Sequence, residues 1–165
     1  MSTGNLEDVL NEIVADIRYN LDATGTNASG RTSDSLQVEM REDGGSVTGR
    51  RYFQGVEIGR PGGRVPKNFR AIIRQWMSDK GISAVTIPYK RQPSENWQPK
   101  YTPEERGAMA MAGAIAEKIR REGTRLFREG GRTDIYTNVL AARMRDLEAA
   151  AIGGVIETIN DNRLI

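Results

Sequence analysis

Apolar positions at the start of the chain fall at helical spacing. Leu6, Val9, Leu10, Ile13, Val14, Ile17 and Leu21 recur every three or four residues, with Asp and Glu between them, which is the pattern of an amphipathic helix with one buried stripe. Ala23-Thr24-Gly25-Thr26-Asn27 closes it with turn chemistry, and Ala28-Ser29-Gly30-Arg31 extends the connection toward Ser35. The period then changes to two. Leu36, Val38 and Met40 alternate with Gln37, Glu39 and Arg41, Asp43-Gly44-Gly45 follows, and Ser46 to Phe53 reads as a second extended stretch, so a β-hairpin is predicted.

Helical spacing returns after residue 66. Phe69, Ile72, Ile73 and Trp76 share a core face while Arg70, Arg74 and Lys80 lie elsewhere, and Trp76 is expected to anchor the helix. Pro66 suits an early helical position, Asn68 offers a capping oxygen, and Gly81-Ile82 suits a left-handed cap with its hydrophobic contact. The predicted helix therefore runs from about 67 to about 80. Ala84 to Tyr89 is rich in β-branched residues and is a possible third strand; 90–102, with Pro93 and Pro99, reads as a loop or arm. Trp97 in that arm either packs back on the body or is exposed as a partner anchor.

A further helix is predicted from Pro103 to about Glu122, with Thr102 and Glu105 forming a capping box and Met111, Ala112, Ile115 and Ile119 on one face. Its middle, from Gly107 to Ala116, is crowded with small residues that permit close approach of another backbone. Gly130-Gly131 interrupts the chain before a last helix, about 136–159, striped by Leu140, Met144, Leu147, Ala151, Val155 and Ile159, with Gly153-Gly154 able to bend it. The sum is an α+β fold: a small antiparallel sheet packed with about four helices, extended arms, and a single domain over 1–165.

The 165 residues suffice for one domain with a core. A 38% hydrophobic and 28% charged composition implies a folded chain with much solvated or interface surface. No apolar run reaches the roughly 20 residues of a membrane span. Met1 to Asn11 lacks a basic start and a signal-like apolar segment, so the expectation is a soluble chain that is not exported. Cys and His are both absent, which removes thiolate nucleophiles, disulfides, the usual zinc ligands and the common general base near neutral pH. No catalytic residue, metal or cofactor is predicted, and a non-enzymatic role follows. Glu104-Glu105 reads better as a helix start than as a catalytic pair. The run Gly59-Arg60-Pro61-Gly62-Gly63 is a specified loop, since Pro61 lacks a donor and glycine disfavours regular elements; no Gly-Lys-Ser/Thr follows it, so it is not a phosphate cradle.

The net charge of +2 conceals segregation. Residues 1–48 hold three basic and nine acidic side chains, residues 49–132 eighteen and eight, and residues 133–165 three and five. Arg50, Arg51, Arg60, Arg64, Lys67, Arg70 and Arg74 thus suggest a positive surface that meets either an acidic protein face or a phosphate backbone. Opposite charges within one chain also invite complementary contacts around a closed oligomer.

Tyr52 to Ile82, reading YFQGVEIGRPGGRVPKNFRAIIRQWMSDKGI, resembles the neck, head–tail joining or tail-completion (minor tail) proteins of tailed bacteriophages. Ala114 to Ile119, Glu122-Gly123-Thr124, Leu126-Phe127-Arg128 and Asp134-Ile135-Tyr136 resemble them too, in the same order, so the likeness spans about residues 5 to 160. It implies a non-enzymatic virion protein, assembled in the host cytoplasm, that forms a homomeric ring, six- or twelve-fold. Such a ring surrounds the path of double-stranded DNA and joins the portal or an adjacent neck ring to tail proteins. By that resemblance Gly59, Arg60, Pro61, Gly62 and Gly63 shape an interface loop, flanked by the other basic residues and by Trp97. The alternative is a small, sequence-independent nucleic-acid-binding protein using the basic 49–132 segment; a carboxylate-based hydrolase is a distant third.

Overall fold

The first helix, α1 (Leu6–Ala23), is capped by the Asn5 side chain and buries Val9, Leu10, Ile13, Val14, Ile17 and Leu21. These are the positions its spacing selects, with Leu6 half-covered at the start of the stripe. The structure, a computed structural model, describes residues 5–42, 44–91 and 93–161, with side chains described through 153. Within these the chain forms two compact units: one is discontinuous, joining the segment up to Ile58 with the segment from Gly131 onward, and the other is Gly59–Gly130. The single domain expected from length is thus organised as two cores.

In the discontinuous unit, α1 is followed by a single helical turn, α2 (Arg31–Asp34), then β1 (Gln37–Arg41) and β2 (Gly44–Thr48). The strands pair antiparallel, with Val38 opposite Val47 and Arg41 opposite Gly44. The hairpin is therefore present but shorter and earlier than its sequence pattern suggests. Gly44 and Gly45 belong to the second strand, Asp43 lies outside the described residues, and Arg51–Gln54 turn into a short helix, α3 (Gly55–Ile58), instead of extending to Phe53. Burial at Leu36 and partial burial of Val38 and Val47 hold the sheet against α1. Arg18 ties the connection down by donating to the carbonyls of Ser33 (3.3 Å) and Leu36 (2.8 Å).

The chain returns to this unit through α7 (Thr137–Asp161), which starts one residue after the predicted position and continues through Gly153-Gly154. It packs on α1: Ile135 and Ala150 join the buried cluster of α1, with Tyr136, Val139 and Leu147 against it. Arg143 spans the two helices, donating to Glu12 (2.6 Å) and Asp16 (3.0 Å). The expected stripe is only partly covered. Leu140 and Met144 stay exposed, and the side chains of Val155 and Ile159 lie outside the described residues.

In the second unit, α4 (Phe69–Asp79) packs on α5 (Pro103–Glu122), and Phe69, Ile73, Met77, Ala112 and Ala116 form the core. The buried stripe of α4 is thus shifted from the predicted one. Phe69, Ile73 and Met77 face inward at i, i+4 spacing, whereas Ile72 and Trp76 are 44% and 39% exposed, so Trp76 does not anchor the helix. Asn68 occupies the N-cap position without a side-chain capping bond. The C-terminus follows the expected form: Ile82 N–H donates to the Met77 carbonyl (2.8 Å), Gly81 N–H to Ser78 (3.0 Å), and Ile82 packs on the same cluster.

Helix α5 carries both halves of the capping box, Glu105 N–H to Thr102 Oγ1 at 3.1 Å and Thr102 N–H to Glu105 Oε2 at 2.9 Å. Residues 84–89 pair with no strand, which corrects the expected third strand. They run along the start of α5. Ile87 N–H donates to the Pro103 carbonyl (2.9 Å), Arg106 clamps the carbonyls of Ile87 and Pro88, and the Val85 carbonyl occupies the place a side chain on Gly107 would need. A last short turn, α6 (Arg125–Arg128), follows Gly123. The fold is α+β with one small two-stranded antiparallel sheet, and among the described residues no helix is long and apolar enough to cross a membrane.

Candidate functional site

The loop from Gly59 to Lys67 is fixed by its main chain. Arg60 N–H donates to Thr124 Oγ1 (2.9 Å) and the Arg60 carbonyl accepts from Thr124 N–H (2.9 Å), while Gly63 N–H donates to the Arg120 carbonyl (2.7 Å). Thr124 also caps α6 by accepting from Phe127 N–H (3.3 Å). Gly59 is required here on two counts: its φ is +71°, and a Cβ would lie 2.5 Å from the Phe127 nitrogen. The sequence reading of a specified loop is physically accounted for by these bonds.

Arg60 is turned to structural use. Its guanidinium sits 5.0 Å above the Phe69 ring and donates from Nη2 to the Arg64 carbonyl (2.5 Å), so it staples the loop to the start of α4. Pro61, Gly62, Gly63, Arg64, Lys67, Arg70 and Arg74 are exposed. Among the described residues Arg64, Lys67, Arg70 and Arg74 make no ion pair within 4 Å, unlike the cations near the end of α5. There Arg120 binds Glu117 (2.5 Å), Arg121 binds Glu122 (2.9 Å) and Arg125 binds Glu129 (2.6 Å). The Arg120 hydrogen bond holds the Glu117 carboxyl below the ordinary carboxylate range against partial desolvation, and the charges of Arg120, Arg121 and Arg70 add to it.

Arg50 and Arg51 are exposed but belong to the other unit, so the predicted basic set is divided between the two cores. Trp97 is half-buried within the arm, edge-on to Tyr89 at 5.4 Å, with Arg91 5.6 Å from its ring. Tyr89 lies in turn under Arg106 (4.0 Å) and donates to the Tyr101 carbonyl (2.9 Å). The arm is folded on its own aromatic stack.

Charge is also divided between the two cores. The Gly59–Gly130 unit holds fifteen basic and seven acidic side chains, net +8; the remainder of the chain holds nine and fifteen, net −6. Among the described residues no group of three Asp or Glu converges to hold a metal.

Two features escape the sequence reading. Glu57 is 2% exposed: its Oε1 accepts from Ile135 (2.9 Å), Tyr136 (2.7 Å) and Thr137 (3.0 Å) N–H, and its Oε2 from Thr137 Oγ1 (2.5 Å). It caps α7 from 80 residues away in sequence; a lone acid framed by Val56 and Ile58 is the only local sign of it. The second is a groove of about 420 Å³ in the same unit, lined chiefly by Ile13, Ile17, Val47, Phe53, Leu140 and Leu147. Ser46 Oγ, also in the lining, is shielded from solvent and has no hydrogen-bond partner among the described residues. No protein-family model matches this chain, and no curated protein or solved structure is significantly similar to it.

Proposed function

We propose that this chain is a structural virion protein of a tailed phage, a neck or tail-completion subunit that forms a homomeric ring between head and tail. The observation that carries this reading is the loop with the strongest resemblance: its backbone is bonded into the end of α5, while Arg64, Lys67, Arg70 and Arg74 are exposed without ion pairs. A fixed backbone presenting unneutralised cations suits docking onto an acidic protein face, because little conformational entropy is lost on binding and charge sets register. The −6 and +8 units give a neighbouring copy such a face. Its mechanism is assembly, with no chemical step.

The same exposed cations also favour a second reading, sequence-independent binding to the phosphate backbone. Solution mass and negative-stain imaging over a concentration series, with and without a portal complex, separate the two. Closed rings, or monomers that become rings on the portal, support the neck reading. A stable monomer that ignores portal and tail components yet binds DNA with a steep salt dependence overturns it in favour of nucleic-acid binding.

A further inference from the structure

Resting on the homomeric reading above, we infer that the Ile72–Trp76 edge of α4 in one copy docks into the apolar groove of the discontinuous unit in the next. Trp76 and Ile72 sit one turn apart on α4, flanking the buried Phe69–Ile73–Met77 stripe, while Arg70 and Arg74 flank it on the opposite side. A large aromatic left 39% exposed beside an exposed isoleucine is an unpartnered apolar knob. The groove is its counterpart. At about 420 Å³ it falls within the roughly 300–1,000 Å³ of cavities that enclose organic ligands, and Leu140, 39% exposed, stands in its lining.

Charge selects a second copy as the occupant. The groove's unit carries net −6 and the knob's unit net +8, so the pair is electrostatically complementary where two like units would repel. The interface is heterologous: each copy offers a knob and a groove, and the contact can repeat from copy to copy.

The test uses the full chain and sedimentation velocity, with circular dichroism to verify folding. Ile72→Ser/Trp76→Ser removes the knob and Leu140→Arg obstructs the groove. Each variant alone should weaken self-association at least about thirtyfold, the scale of losing a hot-spot aromatic. Mixed one to one, they should form dimers and nothing larger, since one good knob meets one good groove. A milder change covers the case in which Leu140→Arg does not fold: Leu140→Ala should weaken association of the parent about three- to tenfold and add nothing to Ile72→Ser/Trp76→Ser. Variants that assemble like the parent into closed rings overturn the interface and leave the ring reading standing. Open chains built through knob and groove, with no closed rings, uphold the interface and overturn the ring. A parent chain that stays monomeric at every concentration, with and without a portal complex, overturns both, and a groove that takes a small apolar compound without affecting association overturns the interface.

Discussion

Replacing Glu57 should have a cost out of proportion to one residue in a four-residue helix. Its carboxylate satisfies three successive backbone N–H groups at the start of α7 and one hydroxyl, and Ile135, which carries the first of those groups, is fully buried. In Glu57→Ala the Ile135 N–H has no route to water, at about 1–3 kcal/mol, and the half-buried Tyr136 and Thr137 N–H groups add smaller amounts. The loss of an anion at a helix N-terminus adds up to about 2 kcal/mol. The expected total is about 3–5 kcal/mol, a large part of the roughly 5–15 kcal/mol of an ordinary domain. Glu57→Gln keeps an acceptor for the N–H groups, loses the charge and turns the Thr137 hydroxyl from donor to acceptor, so it should cost about 1–2 kcal/mol. In urea unfolding followed by far-ultraviolet circular dichroism, the alanine variant's midpoint should fall by about 2 M. Hydrogen exchange should show protection lost first at residues 135–137. An alanine variant within about 0.5 kcal/mol of the parent, or a glutamine variant as unstable as alanine, would refute this account.

Tyr136 provides a pH test beside the same carboxylate. Burial first, and the Glu57 charge second, push its phenol above the ordinary tyrosine range. A raised folded value means stability that is complete below the unfolded value near 10 and lost as pH rises through the folded one. Absorbance titration at 295 nm should show one late-ionising phenol, absent in Tyr136→Phe and shifted back toward the ordinary range in Glu57→Gln. Gly107→Ala, which in a free helix would gain about 1 kcal/mol, should instead lose about 2 kcal/mol because the Val85 carbonyl fills that space. Urea unfolding read by tryptophan fluorescence, which reports the unit holding both Trp76 and Trp97, checks the sign; a gain refutes the close approach. Gly59→Ala should cost about 2 kcal/mol or more in the same unfolding experiment, from its left-handed backbone and its crowding against Phe127, and an unchanged midpoint refutes it.

Sequence signals and structure agree where the interaction itself is local. The stripe of α1, the Thr102–Glu105 box and the Gly81–Ile82 cap each depend on residues within a few turns, and each is formed as spaced. The failures share another cause. Two nearly equivalent stripes run along α4, and only its packing on α5 selects Met77 over Trp76. Ala84–Tyr89 has the composition of a strand but meets a helix, whose residues take up its backbone groups in place of a neighbouring strand. The Gly59–Gly63 loop was legible as a loop, yet Arg60's inward role depends on Phe69, and Glu57 depends on a segment beyond the second unit. Spacing rules carry no information about such distant partners.

The discontinuous unit also imposes an order on synthesis. All of Gly59–Gly130 is synthesised before α7, so that core has its complete set of residues first. The apolar stripe of α1, covered in part by the hairpin, has to wait for residues 135–150 to complete its core, and the carboxylate of Glu57 waits 78 residues for the first of its N–H partners. During that interval the part of the α1 stripe that α7 covers stays open to solvent, and chaperone capture of the growing chain should concentrate on that helix.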